Sequence, residues 1–245
     1  MSEMKQWIFH LAKYTGLFAL CRRITAGDLR ILAYHGIWLG QGHYGNYLFM
    51  SAGKFAARME KIRALGYPVL SLTEALTRRE NNTLPANTVV LTIDDGWYGT
   101  YLHMLPELEK QQFPATLYVT TYYSEKQWSV ANVALHYLVS RTDLARVYLA
   151  DLGIPGDQVY DLAESDQRSD LATTLQCHLE QLPGEDERQA FLWQVADQLG
   201  FDREQICSEK WFRLASPAQV QEMSWRGLDI QLHTHRHRIS KAGHF

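Results

Sequence analysis

Val89-Val90-Leu91-Thr92-Ile93-Asp94-Asp95-Gly96 is the stretch that decides the fold. Five apolar or β-branched residues run without alternation and end in two acids and a glycine. A strand buried on both faces of a parallel sheet has this pattern, because neither face meets water. Before it, Asn81 to Thr88 is a polar turn containing Pro85. After it, Tyr101, Leu105 and Leu108 fall at helical spacing, and Ala115-Thr116-Leu117-Tyr118-Val119-Thr120 reads as a second strand behind Pro114.

Further toward the N-terminus, Arg30 to Ile37 reads as a buried strand with a turn at Gly36, followed by a glycine-rich loop from Gly40 to Gly45. Phe55, Met59, Ile62 and Leu65 then mark a helix capped by Gly66. Val69 to Leu72 reads as a short strand, and Ser71 with Glu74 has capping-box spacing for a short helix. Alternating strands and helices predict parallel βαβ units, whose sites gather at the C-terminal ends of strands. Asp94 and Asp95 stand at such an end.

From about residue 124 to 215 the pattern changes. Helical spacing recurs in Val133-Leu135-Leu138-Val139 and in Phe191-Leu192-Val195-Leu199, which predicts three to five inserted helices. Ser216-Pro217-Ala218-Gln219 has the signature of a helix start. Leu228 to His233 alternates as a strand. The organisation expected is an N-terminal helix over residues 1–28 and an α/β domain over 29–245 that carries the insertion.

The 245 residues are 46% hydrophobic and carry a net charge of −3 with no basic stripe, which argues against nucleic-acid binding. Cys21, Cys177 and Cys207 are too few and too scattered for a disulfide framework. Near the N-terminus, Ile8, Phe9, Leu11, Leu17, Phe18, Ala19 and Leu20 are interrupted by His10 and Lys13 and followed by Arg22 and Arg23. That stretch is too short and punctuated for an integral membrane span, and it lacks a signal-peptide cleavage site. The expectation is an amphipathic helix packed on the domain of a cytoplasmic protein, with peripheral membrane attachment as the alternative.

The second chemical cluster is His233-Thr234-His235-Arg236-His237. In an extended strand His233 and His237 would lie about 13 Å apart, too far to share an ion. In a helical turn, residues four apart are neighbours. A shared site therefore needs the strand to end at His233 and the backbone to coil beyond it. Two imidazoles with a carboxylate suit a zinc-class ion and leave positions open for water and substrate. Taken singly, Asp-Asp-Gly is also an ordinary solvated turn, and His-x-x-x-His also fits a solvated tail.

Together and in this order, the motifs resemble the polysaccharide deacetylase family, carbohydrate esterase family 4. Its first motif, Thr-Phe-Asp-Asp-Gly, matches Thr92-Ile93-Asp94-Asp95-Gly96 with Ile for Phe. The match continues through Leu105-Pro106 to Phe113-Pro114-Ala115-Thr116-Leu117-Tyr118-Val119. Its second motif matches His233 to His237, and Tyr34-His35-Gly36-Ile37 is similar to the first-strand segment of many members.

The resemblance implies an α/β fold, an irregular (β/α) barrel of which about five strands are legible here, incomplete and with a helical insertion. It implies hydrolysis of N-acetyl groups on a polysaccharide or oligosaccharide, with Asp94 as general base. Asp95, His233 and His237 would hold a divalent metal, zinc first, with cobalt, nickel or manganese as alternatives. His35 is a substrate-side candidate. Tyr34 fits packing, and Trp97 and Tyr98 fit either packing or stacking on a sugar. His235 is left out of the metal set because a helical turn would point it away.

The family's later motifs, including the histidine that acts as general acid, do not occur in the chain. The expectation is therefore a chain truncated at its C-terminus. Completion by another segment or chain, or cover of the gap by its own N-terminal and inserted helices, are the alternatives. The runner-up function is a catalytically impaired fragment that retains metal or glycan binding.

Overall fold

The structure, a computed structural model, describes residues 3–42 and 47–236. Two helices come first, α1 (Glu3–Tyr14) and α2 (Leu17–Ile24), then strands β1 (Arg30–Tyr34), β2 (Gly36–Ile37) and β3 (Phe49–Met50). Helices α3 (Ala52–Ala64) and α4 (Leu72–Glu80) lead to β4 (Val89–Asp95), and α5 (Leu105–Gln111) leads to β5 (Thr116–Val119). The long crossover that follows holds α6 (Thr121–Lys126), α7 (Ala131–Arg141), the strands β6 (Arg146–Tyr148) and β7 (Val159–Asp161), α8 (Ser165–Gln181), α9 (Glu185–Gln198) and α10 (Arg203–Ser208). Helix α11 (Pro217–Trp225) then delivers β8 (Asp229–Leu232).

The central sheet has the order β1-β4-β5-β8 and every pairing is parallel. This is the α/β architecture with a helical insertion that the sequence predicts. The sheet is open, with β1 and β8 at its edges among the described residues. In β4, Val89, Val90, Leu91, Thr92 and Ile93 are all buried, as the uninterrupted apolar run requires. Phe55, Met59 and Ile62 of α3, Leu105 and Leu108 of α5 and Met223 of α11 close over Leu91, Ile93, Leu117 and Val119 to make the sheet's core.

The insertion has its own core, built on Leu135 and Leu138 of α7, Leu171 and Leu175 of α8 and Leu192 and Val195 of α9. Trp38 joins this core to the sheet. Its ring lies 4.8 Å from Tyr137 on one side and 5.6 Å from Phe49 on the other, and Phe49 in turn meets Trp97 at 4.9 Å. The aromatic chain ends one residue after the Asp-Asp-Gly turn.

Local sequence explains the helix boundaries. Ser51 and Ser71 accept the backbone N–H groups of Lys54 and Glu74, and Ser216 with Gln219 forms a complete capping box. Thr100 to Met104, ahead of α5, is wound as a π-helix. Pro106 accounts for it: its ring conflicts with the carbonyl four residues back, at Leu102, and a wider turn relieves the conflict.

Several expectations are corrected. Val69 to Leu72 is not a strand. Val69 makes one parallel bridge to Val89, and Leu72 is already helical because Ser71 caps α4. This is why the main sheet has four strands, where about five were legible. The antiparallel pair β6–β7 inside the insertion was not foreseen, since three residues per strand are too few for an alternation to register. Residues 3–24 form two helices, separated by Gly16 in the left-handed region at φ 76°. Among the described side chains, the large apolar ones of both helices stay exposed, and α2 buries none of its residues. Gly45, the end of the glycine-rich loop, and His237 lie outside the described residues.

Candidate active site

The rim of the sheet is built at the C-terminal ends of β1, β4, β5 and β8. A regular strand would send Asp94 and Asp95 to opposite faces. The backbone prevents this at Asp95, which has φ 70°, while the Gly96 N–H donates to the Asp94 carbonyl at 2.9 Å. That bond, spanning two residues about a positive φ, is the pattern of the rarer γ-turn. A non-glycine residue held there is uncommon, and asparagine and aspartate tolerate it best. Such strain persists where the surroundings fix it. Thr120 N–H donates to the Asp95 carbonyl at 3.1 Å, and Ala215 N–H to the Gly96 carbonyl at 2.8 Å. Gly96 itself has φ 84°, so the turn needs two consecutive positive angles.

The turn directs the carboxylates toward two histidines. Asp95 Oδ1 lies 3.6 Å from His233 Nε2, and Asp94 Oδ2 lies 3.8 Å from His35 Nε2. His35 follows β1 and His233 follows β8, so three strand ends supply the four groups. His233 is fixed through its backbone: its N–H donates to the Val119 carbonyl at 2.8 Å, and the Thr120 hydroxyl donates to its carbonyl at 3.2 Å. Beyond it, Thr234 takes φ 61° and the chain bends through His235 and Arg236. The strand thus ends where a shared His233–His237 site would require, and His237 falls outside the described residues.

Other candidates separate clearly. Tyr34 is buried edge-on against Phe55 at 5.2 Å, and burial pushes its phenol up from the ordinary tyrosine range, so it is a neutral packing residue. Trp97 is buried against Phe49, but its indole Nε1–H donates to Asp95 Oδ2 at 3.0 Å. It therefore packs and also orients a carboxylate, a role that sequence reasoning did not assign. The adjacency of an indole N–H donor to the acid pair was the available signal. Tyr98 stacks on Tyr101 at 6.0 Å, with Lys210 Nζ 4.4 Å above its ring. His235 turns toward α6: its Nδ1 meets the Thr121 hydroxyl at 2.8 Å, and its ring stands edge-on to Tyr122 at 5.4 Å.

A carboxylate oxygen and an imidazole nitrogen facing each other form part of a donor set suited to a zinc-class ion. The structure brings Asp95 and His233 together in this way. Among the described residues, no group of three or more His, Cys, Asp or Glu side chains stands close enough to hold a metal. A cleft of about 650 Å³ lies in the insertion, lined by Trp128, Gln189, Trp193 and Arg203, and includes none of the rim residues.

No curated protein matches the chain. Among solved structures, the deacetylase PplD of Streptococcus pyogenes in complex with acetate is similar at TM-score 0.47 and 19% identity, over 86% of this chain and 57% of that one. BC0361, a polysaccharide deacetylase from Bacillus cereus, is similar at TM-score 0.34 and 16% identity, over 86% and 66%. A de-N-acetylase from Aggregatibacter actinomycetemcomitans is similar at TM-score 0.35 and 24% identity, over 39% and 38%. The chain thus spans little more than half the length of the first of these. Residues 81–138, which contain β4, the Asp-Asp-Gly turn and β5, match the family model described as polysaccharide deacetylase.

Proposed function

We propose that the chain forms the base-and-metal half of a hydrolase that removes N-acetyl groups from a polysaccharide or oligosaccharide. The observation that carries the reading is the convergence of Asp94, Asp95, His35 and His233 on one rim of a parallel sheet. Asp95 and His233, with His237 as a third donor, would hold a divalent ion, zinc first. When bound, such an ion supplies Lewis-acid polarisation of an amide carbonyl and makes water more acidic.

The chain's own residues supply the base side of the proposed chemistry. Trp97 holds Asp95 Oδ2, which leaves Oδ1 directed at His233. Asp94 is not engaged by Trp97 and keeps a carboxylate available to accept the proton of an attacking water. His35 beside it would steady that carboxylate and contact substrate. Water oxygen adds to the acetamide carbonyl and the C–N bond breaks; acetate leaves, and the amine nitrogen takes up a proton to balance the one that Asp94 accepted from water.

Acetate release from N-acetylated oligosaccharides, measured beside zinc titration, tests this reading. Wild type should bind zinc and release acetate. Asp94→Asn should lower turnover by about a hundredfold or more while zinc affinity stays within about threefold. A wild-type chain that binds neither zinc nor substrate sinks the proposal. Zinc and glycan binding without any turnover would instead mark a chain that retains the site and lacks the proton donor.

A further inference from the structure

Helices α1 and α2 leave their large apolar side chains exposed, and only Ala12 among their described side chains is buried. In α2, Leu17, Leu20, Cys21 and Ile24 follow the spacing i, i+3, i+4, i+7, one stripe along one face. In α1, Trp7, Ile8, Leu11 and Tyr14 make a similar stripe. Trp7 is 67% exposed, Tyr14 82% and Ile24 74%. Phe9 and Phe18 meet at 6.3 Å and join the two helices, and both remain exposed. Scattered exposed apolar residues are normal, but a contiguous cluster of large ones marks an interaction surface. Helices of 12 and 8 residues are also too short to hold in water on propensity alone.

Charge identifies the cover. Residues 3–24 contain Lys5, Lys13, Arg22 and Arg23 against a single acid, Glu3, whereas the whole chain has a net charge of −3. Positive charge is therefore concentrated beside the exposed apolar stripes. Basic residues next to Trp, Phe and Leu on short amphipathic helices match the boundary between lipid headgroups and acyl chains. No helix among the described residues is long and apolar enough to cross a membrane.

The attachment point fits this use. Arg30 donates to the Thr25 carbonyl at 2.7 Å and to its hydroxyl at 2.9 Å, and Asn87 N–H donates to the Ala26 carbonyl at 2.7 Å. These bonds tie the end of α2 to the N-terminal ends of β1 and β4. The carboxylate–imidazole rim lies at the other end of the same parallel strands.

We propose that α1 and α2 are a peripheral anchor that lies in the surface of an anionic bilayer. Trp7, Leu11, Leu20 and Ile24 enter the acyl boundary, and Lys5, Lys13, Arg22 and Arg23 sit at the phosphates. The rim is then held on the side of the domain away from the lipid. This inference does not depend on the hydrolase reading.

Sedimentation of the full chain with vesicles of equal parts phosphatidylglycerol and phosphatidylcholine tests it, with phosphatidylcholine alone and high salt as comparisons. The chain should pellet with the anionic vesicles, and both salt and removal of the anionic lipid should release it. The combined change Trp7→Ser, Leu20→Ser, Ile24→Ser should weaken binding by about tenfold or more. Each cation near an anionic surface contributes about fivefold, so Arg22→Glu with Arg23→Glu should also weaken it by more than about tenfold. All five positions are exposed, so circular dichroism should show the fold unchanged. Wild type remaining in the supernatant, or both variants binding as well as wild type, overturns the proposal. Concentration-dependent self-association that the same variants abolish, without vesicle binding, assigns the surface to a second copy and overturns it as well.

Discussion

Asp95 Oδ1 and His233 Nε2 stand 3.6 Å apart although their strands are not neighbours. Strand β5 lies between β4 and β8, so their backbones are about two strand spacings apart, on the order of 9–10 Å. The side chains meet because Asp95 leaves its strand through a γ-turn and His233 is the first residue past β8. Thr120, the residue after β5, ties the two together: its N–H binds the Asp95 carbonyl and its hydroxyl binds the His233 carbonyl.

Thr120→Val should therefore separate the pair while preserving shape. Valine keeps the side-chain volume but loses the hydroxyl, which leaves the His233 carbonyl without that donor. The bond itself contributes about 1 kcal/mol to stability. Zinc affinity should fall by about tenfold, with the far-ultraviolet spectrum unchanged. Titration calorimetry on variant and wild type checks this, and equal affinities would show that Thr120 does not position His233.

Trp97→Phe removes the indole N–H that holds Asp95 Oδ2 while retaining most of the contact with Phe49. A partner that orients a metal-ligating carboxylate typically contributes about 10–100-fold in affinity or activity. The variant should lose zinc affinity within that range and show less thermal stabilisation on zinc addition. A role in packing alone would lower the melting temperature equally with and without zinc.

Gly99 sits where β2 crosses close to the segment after the turn. A Cβ built there would lie 2.3 Å from the Ile37 carbonyl oxygen, a backbone atom that cannot rotate away. Gly99→Ala should therefore force a shift and destabilise the fold by about 1–3 kcal/mol. Urea unfolding measures it directly, and a midpoint equal to wild type would mean that the backbone absorbs the methyl group without cost.

The parallel sheet was legible because its signal is local and repeated: β4 is apolar throughout, and β5 follows at βαβ spacing. The chemical types at the rim were legible from Asp94, Asp95 and His233 in sequence. The γ-turn was not, because glycine at position 96 points to a turn without showing that the positive φ begins at Asp95. Thr120 and Trp97 were missed as positioning residues for a similar reason. Each looks like a core residue by composition, and only three-dimensional placement gives its polar atom a partner. In the N-terminal segment the amphipathic spacing was visible, but spacing cannot say whether the apolar stripe meets protein or solvent.

Arg226 binds both carboxylate oxygens of Glu109 and also reaches Glu222, which accepts the Tyr101 hydroxyl at 2.8 Å. This network ties α5 to α11, and α11 delivers β8. The hydrogen bond from Arg226 holds the Glu109 carboxyl below the ordinary glutamate range. A carboxylate with a depressed folded pKa adds stability that is present above its unfolded value and lost as pH falls through the folded value. The groups are partly exposed, so solvent screening limits the contribution to about 0.5–1 kcal/mol. Arg226→Ala should cost that amount at neutral pH and in low salt. The difference from wild type should vanish in acid and shrink in high salt. Urea unfolding across pH checks both, and a cost that persists in acid would assign the effect to lost packing.

His103 offers a test with a higher pH window. It lies in the π-helical turn before α5, and burial pulls its pKa below the ordinary histidine value of 6.5. The folded state therefore disfavours the protonated ring, whereas the unfolded chain accepts the proton near that ordinary value. Stability is fully present above about pH 6.5 and declines as pH falls toward the folded pKa, because the unfolded state binds more protons in that interval. Below the folded pKa both states are protonated and this contribution becomes constant. His103→Gln removes the titration and keeps a polar side chain of similar reach. Its unfolding midpoint should follow wild type above neutrality and fall less steeply between neutral and mildly acidic pH. Parallel curves throughout that window would show that the ring is solvated in the folded protein, and the π-helical turn would then have to be open on the side that His103 faces.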